Sequence, residues 1–345
     1  MRVTTFRTIV ILFILRVVCI FLWVTDNNKV KPKRFDRQAT FADNFMSYFR
    51  IIEGINQIQA EMKNITLVLI SLMMVLFSCS KDPDPVAGSG TVVDHSAIDL
   101  SSIPSEWITK AISDLHIAYG HTSHGSQVTS GMTGLVSFKG NAYAWNNGGT
   151  GGALDLHDYA MPGDLGNPNY TQWEAETRTY LAANSDVNVI IWSWCGQVSS
   201  ATADNINTYL TLMNGLEEDF PDVAFVYMTG HLDGTGLNGN LHKRNEQIRQ
   251  YCRTNKKWLF DFADIESYNP DGVYFGDKIP NDACDYDSNN DGVRDANWAI
   301  QWQNSHTVGV DWYSCTSAHS QPLNANMKAY AAWHLWARIA GWDGK

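Results

Sequence analysis

The sequence predicts an α/β domain built on a mainly parallel sheet. Three observations carry this. Four short apolar runs, Leu115–Tyr119, Val187–Trp194, Val223–Met228 and Trp258–Phe262, read as strands. Val187–Trp194 is nearly continuous in its apolar character, as strands buried on both faces are. Each run is separated from the next by helical sequence, the pattern of parallel strands with helical crossovers. Polar residues then gather after the runs: His121 and Ser123, Gln197, His231 and Asp233, Asp264. In an open α/β sheet that carboxyl edge is where ligands bind.

The elements follow in order. Ile98–Ile112 carries an amphipathic helix through Trp107 and Ile108, with Ser105 as capping residue after a proline. Leu115–Tyr119 opens the sheet and breaks at Gly120, where a glycine permits a sharp turn. The turn reads His121-Thr122-Ser123-His124-Gly125, and a helix with Val128, Met132 and Leu135 at helical spacing follows. Strand, tight polar turn, helix is how such folds expose a nucleophile. Ala144–Tyr170 is punctuated by Gly, Asn and Pro. It reads as an irregular rim of the site, with Gly149–Gly152, Gly151 among them, offering backbone N–H groups to a substrate. Helices are expected at Thr171–Ala183, Ala201–Leu216 and Asn238–Arg253, and an aromatic one over Leu323–Trp342 docks on the core.

The fold is expected over residues 98–345. Before it, Met62-Lys63-Asn64, the apolar segment Ile65–Phe77 and Leu76-Phe77-Ser78-Cys79 have the layout of a signal peptide. The last four residues resemble a bacterial lipobox, which makes Cys79 the lipidated residue. Residues 62–79 are then the signal, 80–97 a tether, and 1–61 an over-extended start. The apolar run Ile9–Val24 is shorter than the roughly 20 residues a span needs. The expected address is the bacterial cell envelope, with membrane contact through the lipid anchor only. The formal charge of −11 argues against a nucleic-acid surface. The 13 Trp and 14 Tyr suit carbohydrate stacking and core packing alike.

Four cysteines lie beyond the signal: Cys195, Cys252, Cys284 and Cys315. In an oxidising compartment they can pair. Cys195 follows a strand and Cys252 ends a helix running the other way, so they fall at opposite edges. Cys284 and Cys315 both follow the last strand, and a Cys284–Cys315 disulfide is the expected pair.

Asp287, Asn289, Asp291 and Asp295 place oxygen ligands at near-alternate positions around Gly292. Alternation aims successive side chains at one hard cation, and the Val293 carbonyl and Asp285 add donors. This is most of an EF-hand loop, with Trp298 where the bidentate Glu would stand. It looks like the acidic Ca²⁺ loops of extracellular repeat modules, and predicts a structural Ca²⁺.

A second constellation, Cys315-Thr316-Ser317-Ala318-His319, opens the final helix. A histidine there can reach back to the sheet edge as general base for Ser123, since a serine hydroxyl is a weak nucleophile until a base takes its proton. The Ser turn after the first strand, the α/β repeats and a His before the last helix together resemble the SGNH (GDSL-like) hydrolase superfamily. The likeness runs from Leu115 to Ile339. It implies a three-layer flavodoxin-like sandwich, Ser123 as nucleophile and His319 as its base. The chain departs from the pattern in having GHTSHG for the family's GDS turn, Thr316 where an Asp precedes the His, and no Gly-x-Asn-Asp block. Gly196 and Gln197 stand in as oxyanion donors, with His121, His124, His231 and Asp233 toward the substrate. The expected activity is an esterase acting on acylated carbohydrate. Two other readings stay open: a zinc-dependent hydrolase using His121, His124, His231 and Asp233, and a non-catalytic glycan-binding lipoprotein.

Overall fold

The computed structural model describes residues 90–345. The expected leader and signal segment, Cys79 and the first part of the expected tether lie outside the described residues. No helix among the described residues is long and apolar enough to cross a membrane.

Seven parallel strands form one sheet. They are β1 (Val92–Val93), β2 (His116–Gly120), β3 (Trp145–Asn146), β4 (Leu154–Asp158), β5 (Val189–Trp192), β6 (Ala224–Met228) and β7 (Trp258–Phe260). Their spatial order is β1-β7-β6-β5-β2-β4-β3. The five central strands, counted from β2, therefore run 2-1-3-4-5, the order of a flavodoxin-like doubly wound sheet. The four strands expected from apolar runs are all present. β1 pairs with β7, so the edge of the sheet takes in residues of the expected tether. β3 and β4 lie inside the stretch read as irregular. In β4, Leu-Asp-Leu-His-Asp, buried leucines alternate with polar side chains, the first of which, Asp155, is also buried, a pattern that an all-apolar search passes over.

The helices flank this sheet. α1 (Ser105–Asp114) and α2 (Ser126–Lys139) pack on the last helix. α3 (Gln172–Ala183), the single turn α4 (Gln197–Ser200), α5 (Ala203–Asp219) and α6 (Asn240–Asn255) follow the middle strands. α7 (Phe262–Ile265) is another single turn, and α8 (Trp298–Ser305) precedes α9 (Pro322–Ile339). A small hairpin, β8 (Asp285–Tyr286) with β9 (Ala296–Asn297), closes the acidic loop. Ser105 begins α1 rather than capping it, because Pro104 holds the extended cap position.

Most of the tryptophan is core. Trp173, Trp192, Trp194, Trp298, Trp333 and Trp336 are fully buried. Trp192 donates its indole N–H to the Thr177 hydroxyl and Trp194 donates to the Met228 carbonyl, whereas the indole N–H groups of Trp298, Trp333 and Trp336 are buried without a partner. Gly120 is dictated by this packing, since a Cβ there would sit 2.4 Å from the Trp192 ring on the neighbouring strand.

The expected Cys284–Cys315 disulfide is not formed, and all four described cysteines are free thiols. Cys284, at φ 72°, faces the Ser320 hydroxyl. Cys315 faces Asn326 and the Pro322 carbonyl instead.

α9 buries a lysine, Lys328, which is fully inaccessible and paired with the equally buried Glu266. Removing one partner of such a pair leaves a buried charge uncompensated, at about 3–5 kcal/mol. Lys328→Met is therefore expected to lower unfolding stability in urea by about that much. A loss under about 1 kcal/mol would show that Glu266 finds solvent or a proton in its place.

Candidate active site

β2 and β5 are neighbours at the point where the strand order reverses. Ligands of doubly wound folds bind at that switch point. The register pairs Gly120 with Trp192. Equal offsets beyond paired residues in parallel strands emerge side by side. Three residues on, Ser123 Oγ and Cys195 Sγ meet at 3.1 Å.

Cys195 sits on a strand–turn–helix bend. β5 ends at Trp192, Gly196 takes a left-handed conformation at φ 82°, and α4 begins at Gln197. The Cys195 N–H donates to the Gln197 side-chain carbonyl at 2.6 Å, which holds the bend. Gly125, one turn away, permits close approach of the two loops, since a Cβ there would lie 2.4 Å from His121 Cβ and 2.8 Å from Ser193 Cβ.

His124 lies between a thiol and a carboxylate. Its Nδ1 is 3.2 Å from Cys195 Sγ and its Nε2 is 2.9 Å from Asp282 Oδ2. This is the nucleophile–base–orienter arrangement of acyl-transfer enzymes. The electrostatics agree with it. The hydrogen bond from His124 leads in lowering the Cys195 thiol to about 7, against burial and with help from Ser123. Burial opposes charge on His124, but the bonds to Asp282 and Cys195 outweigh it and carry the ring up to about 9. Burial likewise opposes ionisation of Asp282, and the His124 bond holds its carboxyl below the ordinary value. A thiolate beside an imidazolium is the consistent charge state near neutral pH.

Two further rings stack on His124. His231 lies on it with centroids 3.6 Å apart, and His319 at 4.4 Å. His231 is buried, and that burial holds its ring below the ordinary histidine value. His319 is exposed and takes a left-handed backbone at φ 62°, a strained state for a non-glycine residue. Ser123 and His319 thus share one site, but no hydrogen bond joins them. Ser123 is on Cys195, and His319 on the face of His124.

The other expected residues fall in and out of this centre. Gln197 and Gly196 flank the thiol. His121 is committed elsewhere, with Nε2 on Asp158 at 2.6 Å and Nδ1 on the Thr122 carbonyl. Asp233 caps its own turn through Thr235 and lines a cavity of about 180 Å³ with Leu232, Arg249, Tyr268 and Tyr274. Gly151 is not near the thiol. Gly148, in the same loop, binds Asp155, which pairs with His116 at the start of β2, so the loop sits at the opposite edge of the sheet. The rim is instead formed by residues after β4, where Asp164 accepts from the Thr122 hydroxyl at 2.6 Å.

Sequence reasoning missed Cys195 as a nucleophile and Asp282 altogether. The signal for Cys195 was present, because VIIWSWCGQ is also strand, turn and helix. Asp282 stands just before the acidic loop and gave no local sign of its role.

Comparison of the chain with protein-family models, curated proteins and solved structures gave no match.

Cys195 is expected to react with iodoacetamide with a midpoint near pH 7, well below an ordinary thiol of about 8.5. Its folded value is depressed, so the thiolate persists as pH falls to that midpoint and is lost below it. Asp282→Asn is expected to move the midpoint upward, because the imidazolium loses its carboxylate. A wild-type midpoint near 8.5 would remove the ion pair.

Proposed function

We propose that the chain is an acyl-transfer hydrolase whose nucleophile is Cys195. The observation that carries this reading is the line Asp282–His124–Cys195, with contacts of 2.9 and 3.2 Å at the sheet's switch point. The Cys195 thiolate attacks the carbonyl carbon of an ester, forming a C–S bond. The Gly196 backbone N–H and the Gln197 amide are the donors for the resulting oxyanion. Gln197 spends its carbonyl oxygen on the Cys195 N–H, which leaves its NH₂ for a ligand. Collapse breaks the ester C–O bond, and the His124 imidazolium gives its proton to the departing alcohol. Water then attacks the thioester as neutral His124 takes its proton. The thiolate leaves, and the carboxylic acid is released.

The substrate class that fits is an acylated carbohydrate at the bacterial cell envelope. The support is the signal-like leader with Cys79, the SGNH-like order of elements, and the polar cavity of Asp233, Tyr268 and Tyr274, whose lining begins at Leu232, the residue after His231.

A serine reading has one observation in its favour. Ser123 shares the centre with His124 and with His319, which the SGNH resemblance makes the base. Hydrolysis of an acetyl ester by wild type, Cys195→Ala, Ser123→Ala and His319→Ala separates the two. Cys195→Ala is expected to lower kcat at least 10³-fold, the scale lost with an essential nucleophile. Ser123→Ala is expected to lose about tenfold, as for one supporting hydrogen bond. Loss confined to Ser123→Ala and His319→Ala transfers the role to the serine. A folded wild type without turnover leaves the glycan-binding reading.

We also propose that the loop of Asp285, Asp287, Asn289, Asp291, the Val293 carbonyl and Asp295 takes a structural Ca²⁺. Asp287 already organises the loop by accepting the N–H groups of Asn289, Asn290, Asp291 and Gly292. Chelation with EGTA is expected to lower Tm, with recovery on adding Ca²⁺. An unchanged melting curve, and protein free of calcium by elemental analysis, would end this proposal.

A further inference from the structure

The acyl-transfer relay leaves out His231. Its Nδ1 is 2.9 Å from the Leu232 carbonyl, a contact that requires the proton on Nδ1 and leaves Nε2 with a free lone pair. The side chain belongs to a residue only 9% exposed, and Nε2 has no hydrogen-bond partner. A buried polar atom without a partner is rare enough to require an explanation. This one points toward the thiol loop, since a Cβ placed on Gly196 would lie 3.7 Å from it.

One donor atom each from His124, His231 and Asp282 lie within 4.8 Å of one another. Two imidazoles and a carboxylate are a zinc donor set, with an open fourth position. His231 has the outer support typical of a metal-bound histidine, its other ring N–H held by a backbone carbonyl. The set differs from the one the sequence suggested. His121 and Asp233 are engaged elsewhere, and Asp282 takes their place.

We propose that His124, His231 and Asp282 bind one Zn²⁺ reversibly, and that the bound ion switches the thiol off. The inference rests on the Cys195 reading. Both nitrogens of His124 are already in use, one on Cys195 and one on Asp282. An ion on either nitrogen breaks one of those contacts. The ring then no longer passes a proton between thiol and leaving group. Donors around a tetrahedral zinc stand about 3.3 Å apart, and the His124 and His231 rings, stacked with their planes 6° apart, aim their lone pairs in parallel, so the ion seats only when one ring turns out of the stack. Zinc binding and catalysis thus compete for one imidazole.

The test uses metal-free full-length protein and Zn²⁺ as the probe. Zinc affinity is read by competition with a chromophoric chelator, and Cys195 reactivity by iodoacetamide labelling. One equivalent of Zn²⁺ is expected to bind and to slow Cys195 labelling at least tenfold. His231→Asn is expected to weaken zinc binding at least tenfold and to abolish the protection, with folding checked by thermal melting. His231→Gln replaces it if the Asn variant does not fold. Fast labelling of Cys195 near neutral pH with no zinc bound overturns the zinc site and leaves the thiol reading intact. Labelling no faster than an ordinary thiol, with or without zinc, overturns the thiol reading itself. Bound zinc whose removal abolishes ester hydrolysis overturns the switch and makes the ion a required cofactor.

Discussion

The buried pair of Lys328 and Glu266 ties the last helix to the loops that carry the site. Burying two charges is costly, and it persists only where hydrogen bonds satisfy what the pair leaves over. Here every remaining group does structural work at the sheet edge. Glu266 accepts the Leu232 N–H at 2.8 Å, which fixes the residue after His231. Lys328 also donates to the Gln127 side chain, whose amide donates to the Ala318 carbonyl beneath His319. Asn324 reaches both Glu266 and Ser320. The Lys328 ammonium lies 3.6 Å from the centroid of the Phe262 ring. One charge pair therefore holds the start of α2, the loop after β6 and the segment before α9 in a single arrangement. Those three stretches carry His124, His231 and His319.

Two of the six described non-glycine residues with left-handed backbones, Cys284 and His319, lie on this frame. Gly196 takes the left-handed turn behind the thiol, and His319 and Cys284 take it despite their side chains. A left-handed non-glycine residue costs of order 1–3 kcal/mol and survives where neighbours over-determine it. His319 has the Gln127–Ala318 bond on one side and the His124 ring under its own. Cys284 has Ser320, itself held by Asn324. The strain and the buried pair belong to one design, in which packing from α9 fixes loops that would otherwise choose easier backbones.

The fold was legible because its strongest signals are long-run ones. Buried parallel strands such as Val189–Trp192 and Ala224–Met228 must be apolar throughout, and helices must follow them. Short edge strands carry no such demand. β1 is two residues, and β4 alternates leucine with charge, so composition alone reads both as loop. The carboxyl edge was legible for the same reason, since polar residues after each strand have nowhere else to point. Partnership within that edge was not. Which of Ser123 and Cys195 holds the imidazole depends on the β2–β5 register and on Asp282. Asp282 lies 158 residues from His124 in sequence and beside it in space.

That register also bears on which nucleophile the site favours. Ser123 and Cys195 are equivalent by position, each the third residue past a paired strand end. The groups facing them break the tie. His124 turns its Nδ1 to sulfur, and the serine hydroxyl is left to support the same sulfur. A thiolate needs less help than an alkoxide, because a thiol starts near 8.5 and the contacts from His124 and Ser123 bring it to about 7. A serine here would need His319 to act as base from a position where it instead covers His124. The three stacked imidazoles then divide by what each ring's other contacts allow. His124 has a partner on both nitrogens and is the ring placed to carry a proton between them. His319 is exposed and faces whatever enters. His231 keeps one buried lone pair turned toward the thiol loop.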